Sequence, residues 1–298
     1  MADNRGYASP GAFRRALTDR LRALAEEGRW SLPQLQRQIA YDRLLERLYR
    51  VDDSWIVKGA AALLARDLGA RATIDIDVYR VRARRTAEGE LREAASRDIG
   101  DWFRFEIGSS RAAGAGNAGV RFPTTTYIGP TEWARFHVDL VVSDLRMTGE
   151  PERVPALARV LMPGIEQRGY WVYPLVDHIA DKVVATFQRY GEHQRPSTRY
   201  KDLVDLVSIV TGASVKAEQQ LTALISEAER RGVVPLQRFN VPDRGLWERG
   251  YAAEAERSLL LTARTLDDAL AVVRPFIDPL INRSATGTWD PRTGRWAV

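Results

Sequence analysis

The sequence predicts an α/β protein of two lobes, with the strands gathered in the N-terminal half and helices dominating the C-terminal half. Short apolar or alternating runs at 55–58, 74–79, 102–107, 119–128 and 133–142 read as strands set among helical patterns. Beyond about residue 173 the periodicity is almost wholly helical, over about 174–189, 198–210, 215–231 and 265–281. Between the halves, 144–170 carries Pro151, Pro155, Pro163, Gly149, Gly164 and Gly169, the composition of a connector. The expected division is 1–50 (helices packing on the core), 51–145 (strand-bearing domain), 146–172 (connector), 173–282 (helical lobe) and 283–298 (a loosely attached tail). A chain of 298 residues has room for two such bodies.

Composition excludes several classes. Hydrophobic content of 45% with 28% charged residues is that of a globular protein. No apolar run approaches the roughly 18 residues of a membrane span, and the start lacks the apolar core of a signal peptide. With no cysteine, disulfides, zinc–thiolate sites and thiol catalysis are excluded, which fits a cytoplasmic protein. A net charge of +5 permits a nucleotide or nucleic-acid partner without pointing to one.

Residues 1–9 read as disordered. Phe13, Leu17, Leu21 and Leu24 then recur at helical spacing, and Ser31 with Pro33 opens a second helix through Leu35, Ile39, Leu44, Leu45 and Leu48 to about Arg50. The arginines of these helices read as a solvated face. The next stretch, Trp55 to Tyr79, organises the rest. An apolar strand runs into Lys58 and Gly59, an Ala- and Leu-rich helix follows, and a second strand carries Asp75 and Asp77. Alternation places these two carboxylates on one face, about 6.6 Å apart along the strand, with Ile74, Ile76 and Val78 on the other. Two such carboxylates beside a glycine turn suit a hard divalent cation held against a triphosphate, and a half-buried edge strand with solvated aspartates has the same pattern.

The basic run Arg80, Arg82, Arg84 and Arg85 fits either a polyphosphate contact or a solvated strand end, and leads into a polar helix over about 86–97. Gly114, Gly116 and Gly119 match Gly-x-Gly-x-x-Gly. The β-branched, proline-broken run after them is a strand and not the helix a dinucleotide site needs, so the segment reads as a hairpin loop. Asp139 sits in the apolar run 136–142, where a carboxylate is costly unless paired, cation-bound or on a wet face. In the helical half, Lys182 lies at the edge of the stripe Leu175, Ile179, Val183 and Phe187, with Arg189 seven residues on. Asp202 and Asp205 share one face of a helix too apolar to stay exposed. Lys182 or Arg189 is their natural partner, as a salt bridge between helices or as part of a site.

Together these segments resemble the nucleotidyltransferase toxins of the AbiEii/AbiGii family, which includes the mycobacterial MenT toxins. The matches are Lys58-Gly59-Ala60 to a Lys-Gly-Gly-type turn, and Thr73 to Asp77 to a Ser/Thr-x-Asp-h-Asp strand, h being apolar. Lys182 with Arg189 matches a helical Lys followed by Arg, and Lys201-Asp202-Leu203-Val204-Asp205-Leu206 matches a basic-Asp-h-h-Asp-h helix. Val138-Asp139-Leu140 resembles the third strand carboxylate of the wider superfamily. The matches fall in the family's order over residues 55–206, and Ala60 departs from the commoner Gly or Ser.

The resemblance implies a nucleotidyltransferase-fold mixed sheet with flanking helices and a C-terminal helical lobe, the active site lying in the cleft between the lobes. It implies a toxin of a bacterial toxin–antitoxin or phage-defence pair, transferring NMP from an NTP to RNA, the tRNA 3′ end being the expected acceptor. Asp75 and Asp77 would hold Mg2+ or Mn2+, with Asp139 completing the metal site or accepting the proton of the attacking hydroxyl. Lys58, Gly59, Ala60 and the helix N-terminus would cradle the triphosphate, with Arg189 assisting. Lys182 would meet phosphate charge in the transition state, Asp202 would orient Lys182 or touch the nucleotide, and Asp205 would support them. Phosphorylation of Thr73 would place negative charge at the metal site and inhibit. The implied partners are NTP, RNA and a cognate antitoxin, with no membrane. Two other functions share the pattern: nucleotidyl transfer to a small molecule such as an antibiotic, and non-catalytic nucleotide binding by a regulatory protein.

Overall fold

The computed structural model describes residues 6–69, 71–112, 119–142, 147–158, 160–233, 238–258 and 261–297. They form two compact units. The first is Met1–Arg66, Ala72–Leu145 and Glu152–Val172; the second is Asp67–Arg71, Arg146–Pro151 and Tyr173–Val298.

The first unit opens with α1 (Pro10–Glu26), capped by Ser9, whose hydroxyl accepts from the Ala12 N–H at 3.2 Å. Phe13, Leu17 and Leu21, each four apart, are its buried stripe. In α2 (Leu32–Val51), Pro33 occupies the first turn and the Gln34 side chain reaches back to the Ser31 N–H at 2.8 Å. The arginines of α2 depart from the solvated face expected of them. Arg43 and Arg47, four apart, are both buried and converge on Asp101, each with a 2.7 Å contact. One carboxylate and the carbonyls of Arg97 and Phe103 satisfy donors that burial would otherwise strand.

The remaining elements of this unit are β1 (Ile56–Lys58), α3 (Gly59–Ala65), β2 (Asp75–Tyr79), α4 (Arg84–Ser96), β3 (Phe103–Ile107), β4 (Arg111–Ala112), β5 (Gly119–Ile128), β6 (Thr131–Val141), β7 (Glu152–Val154) and β8 (Tyr170–Val172). They build a mixed sheet in the order β3-β5-β6-β2-β1-β8-β7, with β4 beside β5. The pairs β2–β6 and β1–β8 are parallel, and the others are antiparallel. β7 and β8 lie inside the stretch that reads as a connector: strands of three residues are too short to show a period of two. The loop holding Gly114 and Gly116 lies outside the described residues, and Gly119 opens β5 as a strand.

Two local expectations are corrected here. Ile74 is 55% exposed, because β2 begins only at Asp75; the buried line is Ile76 and Val78. Arg80 is buried, bonded to Asp52 and to Glu90 at 2.8 Å, with its guanidinium 5.0 Å from the Trp55 ring centroid. It is a structural cation of the strand end, closed to a polyphosphate. Arg82 and Arg84 face Glu90 and Glu88.

The second unit contains α5 (Leu175–Phe187), β9 (Arg189–Tyr190), β10 (Arg195–Pro196), α6 (Tyr200–Gly212), α7 (Ala217–Arg231), α8 (Arg244–Glu256), α9 (Leu266–Ile281), β11 (Thr288–Asp290) and β12 (Arg295–Ala297). Val183, Val184, Leu203, Leu206 and Leu270 are in its core. α8 escapes the sequence reading because its buried stripe is only Trp247, Tyr251 and Ala255 among charges and glycines. The tail from Asn282, expected to be loosely attached, is packed. Trp289 is 1% exposed, donates its indole N–H to the Val210 carbonyl at 2.8 Å, and meets Phe276 edge-on. Aromatic anchors hold a segment whose glycines and arginines suggest a free end.

Candidate active site

The sheet register assembles the predicted carboxylates from strands far apart in the chain. β2 and β6 run parallel with Asp77 beside Asp139 and Asp75 beside His137. Across β5 the partner of Asp139 is Arg121, and across β1 the partner of Asp77 is Lys58. Register neighbours share a face, so Arg121, Asp139, Asp77 and Lys58 form one row over four strands. Asp75 and His137 lie on the same face in the next row, two residues away along their strands.

Within this face Asp139 is buried, 6% exposed, and Arg121 grips both its oxygens, Nε to Oδ1 at 2.8 Å and Nη2 to Oδ2 at 2.6 Å. The cost of burying this carboxylate is met by a protein cation. Hydrogen bonding to Asp139 in turn raises the Arg121 pKa, so the guanidinium is always charged. Asp75 is more open, with a side-chain exposure of 30%. It lies 3.0 Å from His137 Nδ1 and 3.5 Å from Arg121 Nη2. Thr73 Oγ1 accepts from the Asp75 N–H at 3.1 Å and donates to its carbonyl at 2.9 Å, which fixes the entry of β2.

The glycine turn presses on the same face. Gly59 has φ of 67°, and a β-carbon placed there would fall inside the Asp77 carboxylate. Glycine is therefore required twice, by the left-handed backbone and by the close approach. Ala60 is buried within α3. α3 has only seven residues, so its few aligned peptide dipoles add little at the N-terminus expected to cradle phosphate.

The side chains that could hold a divalent ion are Asp75 and Asp77. Mg2+ is commonly held by one or two carboxylates, with the remaining positions taken by phosphate and water, and these two half-exposed side chains fit that demand. Asp139 is engaged by Arg121, and among the described residues no group of three or more His, Asp and Glu side chains is arranged to hold a metal.

The residues predicted from the helical half meet in the second unit. Lys182 Nζ donates to Asp202 at 3.1 Å and to Asp205 at 2.7 Å. Arg71 forks onto Asp205 at 2.9 and 3.0 Å, and Arg199 bonds Asp202. Burial pushes the Asp205 carboxyl up, but Arg71 and Lys182 more than offset it and hold it at about 2. Asp202 is lowered by the same balance, with Lys182 and Arg199 outweighing burial. Lys182 is raised because Asp202 and Asp205 outweigh its desolvation. Arg189 is corrected: α5 ends at Phe187, so Arg189 lies on exposed β9, donating to the Gln194 carbonyl at 3.1 Å, and not on the face of Lys182.

Sequence reasoning missed Arg121, His137 and Arg71. His137 was within reach, since it precedes Asp139 by two in the same strand. Arg121 and Arg71 carry no signal without the register and the chain path.

Residues 43–272 match the family described as nucleotidyl transferase AbiEii toxin of type IV toxin–antitoxin systems. No curated protein matches. Among solved structures, JHP933 from Helicobacter pylori is 14% identical at a TM-score of 0.47, covering 83% of this chain and 94% of its own. MenT4, a nucleotidyltransferase toxin from Mycobacterium tuberculosis, is 15% identical at a TM-score of 0.47, covering 87% of this chain and 92% of its own. The family match spans well over half of the sequence and includes every carboxylate described above. The chain belongs to the AbiEii nucleotidyltransferase toxin family.

Proposed function

We propose that this protein is the toxin of a bacterial toxin–antitoxin pair that transfers NMP from an NTP to RNA, with the 3′ end of tRNA as acceptor, so blocking translation and growth. The observation that carries the reading is the face of β2, where partly exposed Asp75 and Asp77 lie side by side and Asp77 stands against the Gly59 turn. Asp75 and Asp77 would hold Mg2+ or Mn2+. When bound, that ion neutralises phosphate charge and helps align the reacting oxygens. Lys58 and Gly59 bind the triphosphate, Lys58 as a point charge and Gly59 through the left-handed turn that brings the backbone close to Asp77. Asp139, which Arg121 holds in this structure, would complete the metal site or accept the proton of the attacking hydroxyl. Lys182 acts as a fixed positive charge towards phosphate oxygens, oriented by its 3.1 Å bond to Asp202. Asp205 supports Lys182 from 2.7 Å. Arg189, exposed on β9, is a secondary phosphate contact. The cytoplasm, with its NTP and tRNA, is the place of action, and a cognate antitoxin is the partner.

The test is incubation with each labelled NTP, Mg2+ and total tRNA. Label should enter RNA with wild-type protein and not with Asp75→Ala. Absence of label in RNA removes the proposed acceptor, and growth arrest that survives Asp75→Ala removes the mechanism. Phosphorylation of Thr73 is the proposed regulation, because roughly two added charges would sit two residues from Asp75. Intact transfer by Thr73→Glu would count against it.

A further inference from the structure

Arg121 faces the acidic row, and its part in the roles above is only to hold Asp139. Its fork takes both Asp139 oxygens, and the same Nη2 that lies 2.6 Å from Asp139 lies 3.5 Å from Asp75 Oδ2. The guanidinium thus stands between two carboxylates from neighbouring strands, where a cation shared by them would sit. With its side chain 39% exposed, it can leave this position without opening the core. We propose that Arg121 is an internal counter-ion of the acidic face that withholds Asp139 and part of Asp75 from a divalent ion until a triphosphate arrives. The inference rests on Asp75 and Asp77 being the metal ligands.

The charges argue for it. Asp75, Asp77 and Asp139 are faced by Arg121, by Lys58 opposite Asp77, and by His137 beside Asp75. A divalent ion entering alone meets a face partly compensated by Arg121 and Lys58 and the repulsion of a guanidinium already in place. An incoming triphosphate brings its own negative charge and offers Arg121 a partner its planar fork suits at least as well as a carboxylate. Ion and nucleotide would then bind cooperatively, each more tightly in the presence of the other.

Mn2+ titration followed by the electron paramagnetic resonance of the free ion tests this on the full-length protein without catalysis. Wild type should bind Mn2+ weakly alone and more tightly with α,β-methylene NTP analogues. Arg121→Gln should bind Mn2+ alone at least tenfold more tightly than wild type, and adding Asp75→Asn should abolish that gain. Arg121→Lys, which keeps the charge and loses the fork, should fall between and guards against misfolding of the glutamine variant. Unchanged or weaker Mn2+ binding in both Arg121 variants would overturn the counter-ion role, whatever the metal ligands. If Asp75→Asn and Asp77→Asn leave Mn2+ binding unaltered even with the analogues, the metal assignment itself fails.

Discussion

The two units each hold a cluster of acids and bases, and the clusters differ in how far water reaches them. In the first unit Asp75 keeps 30% of its side chain exposed, and Arg121 beside it 39%. In the second, the side chains of Lys182, Asp202 and Asp205 are 7%, 7% and 1% exposed, and Arg71 and Arg199 complete the neutralisation. A wet, partly compensated cluster can exchange a protein partner for a ligand at small cost. A dry one is committed to its neighbours, because removing one member leaves a desolvated charge behind. The first cluster is therefore suited to taking up a metal and a nucleotide, and the second to presenting a charge that does not move.

The sharpest break of this contrast is Asp75→Asn. It should lower nucleotidyl transfer by a thousandfold or more, about 4 kcal/mol, while the unfolding midpoint barely changes. Comparable losses of stability and activity would make the first cluster structural. Next, Asp205→Ala leaves Lys182 and Arg71 without their shared carboxylate and should destabilise the fold by about 3 to 4 kcal/mol, read by urea unfolding. Lys182→Gln is gentler, since Asp202 and Asp205 retain Arg199 and Arg71. It should cut transfer about a hundredfold in protein that unfolds cooperatively, and unchanged transfer would remove Lys182 from the mechanism.

Acid should act on the second cluster too. Asp205 is held at about 2, below its ordinary value of 3.8, so it contributes stability that is fully present above pH 4 and lost as pH falls through 2. That contribution is roughly 2 kcal/mol. Melting curves between pH 5 and pH 2 should show it, and Asp205→Asn should flatten this part of the profile. Smallest in stability is Gly59→Ala, which forces a side chain into the left-handed region at about 1–2 kcal/mol. It also displaces the Asp77 carboxylate, so transfer should fall by more than the melting temperature implies.

Much of the molecule is legible in the residues. Helices α1, α2 and α5 follow from stripes of apolar residues at helical spacing, with Ser31 and Pro33 at the start of α2, and α7 and α9 from helical periodicity. Strands β5 and β6 follow from alternation. The pairing of Lys182 with the α6 carboxylates was readable because an apolar helix cannot leave aspartates unpartnered. The misses have physical causes. Three-residue strands show no period, and an arginine on a helix looks the same whether it faces water or Asp101. The anchorage of the tail depends on Phe276 and the Val210 carbonyl, which a local reading cannot bring near Trp289.

Sequence alone determined which residues could do chemistry: two aspartates alternating on a strand, a glycine turn before them, a lysine and two aspartates on apolar helices. Those are local properties, set by the period of the backbone and by the cost of burying charge. Only the tertiary structure decided who stands beside whom. Parallel pairing of β2 with β6 sets Asp77 beside Asp139, and antiparallel pairing of β5 delivers Arg121 to both rows. A register shift of one residue would turn every one of these side chains to the opposite face, and which residue of one strand stands opposite which of the next is settled only when the strands pair. The register arises from packing of the whole sheet, which is why the counter-ion of the site appears only in the fold.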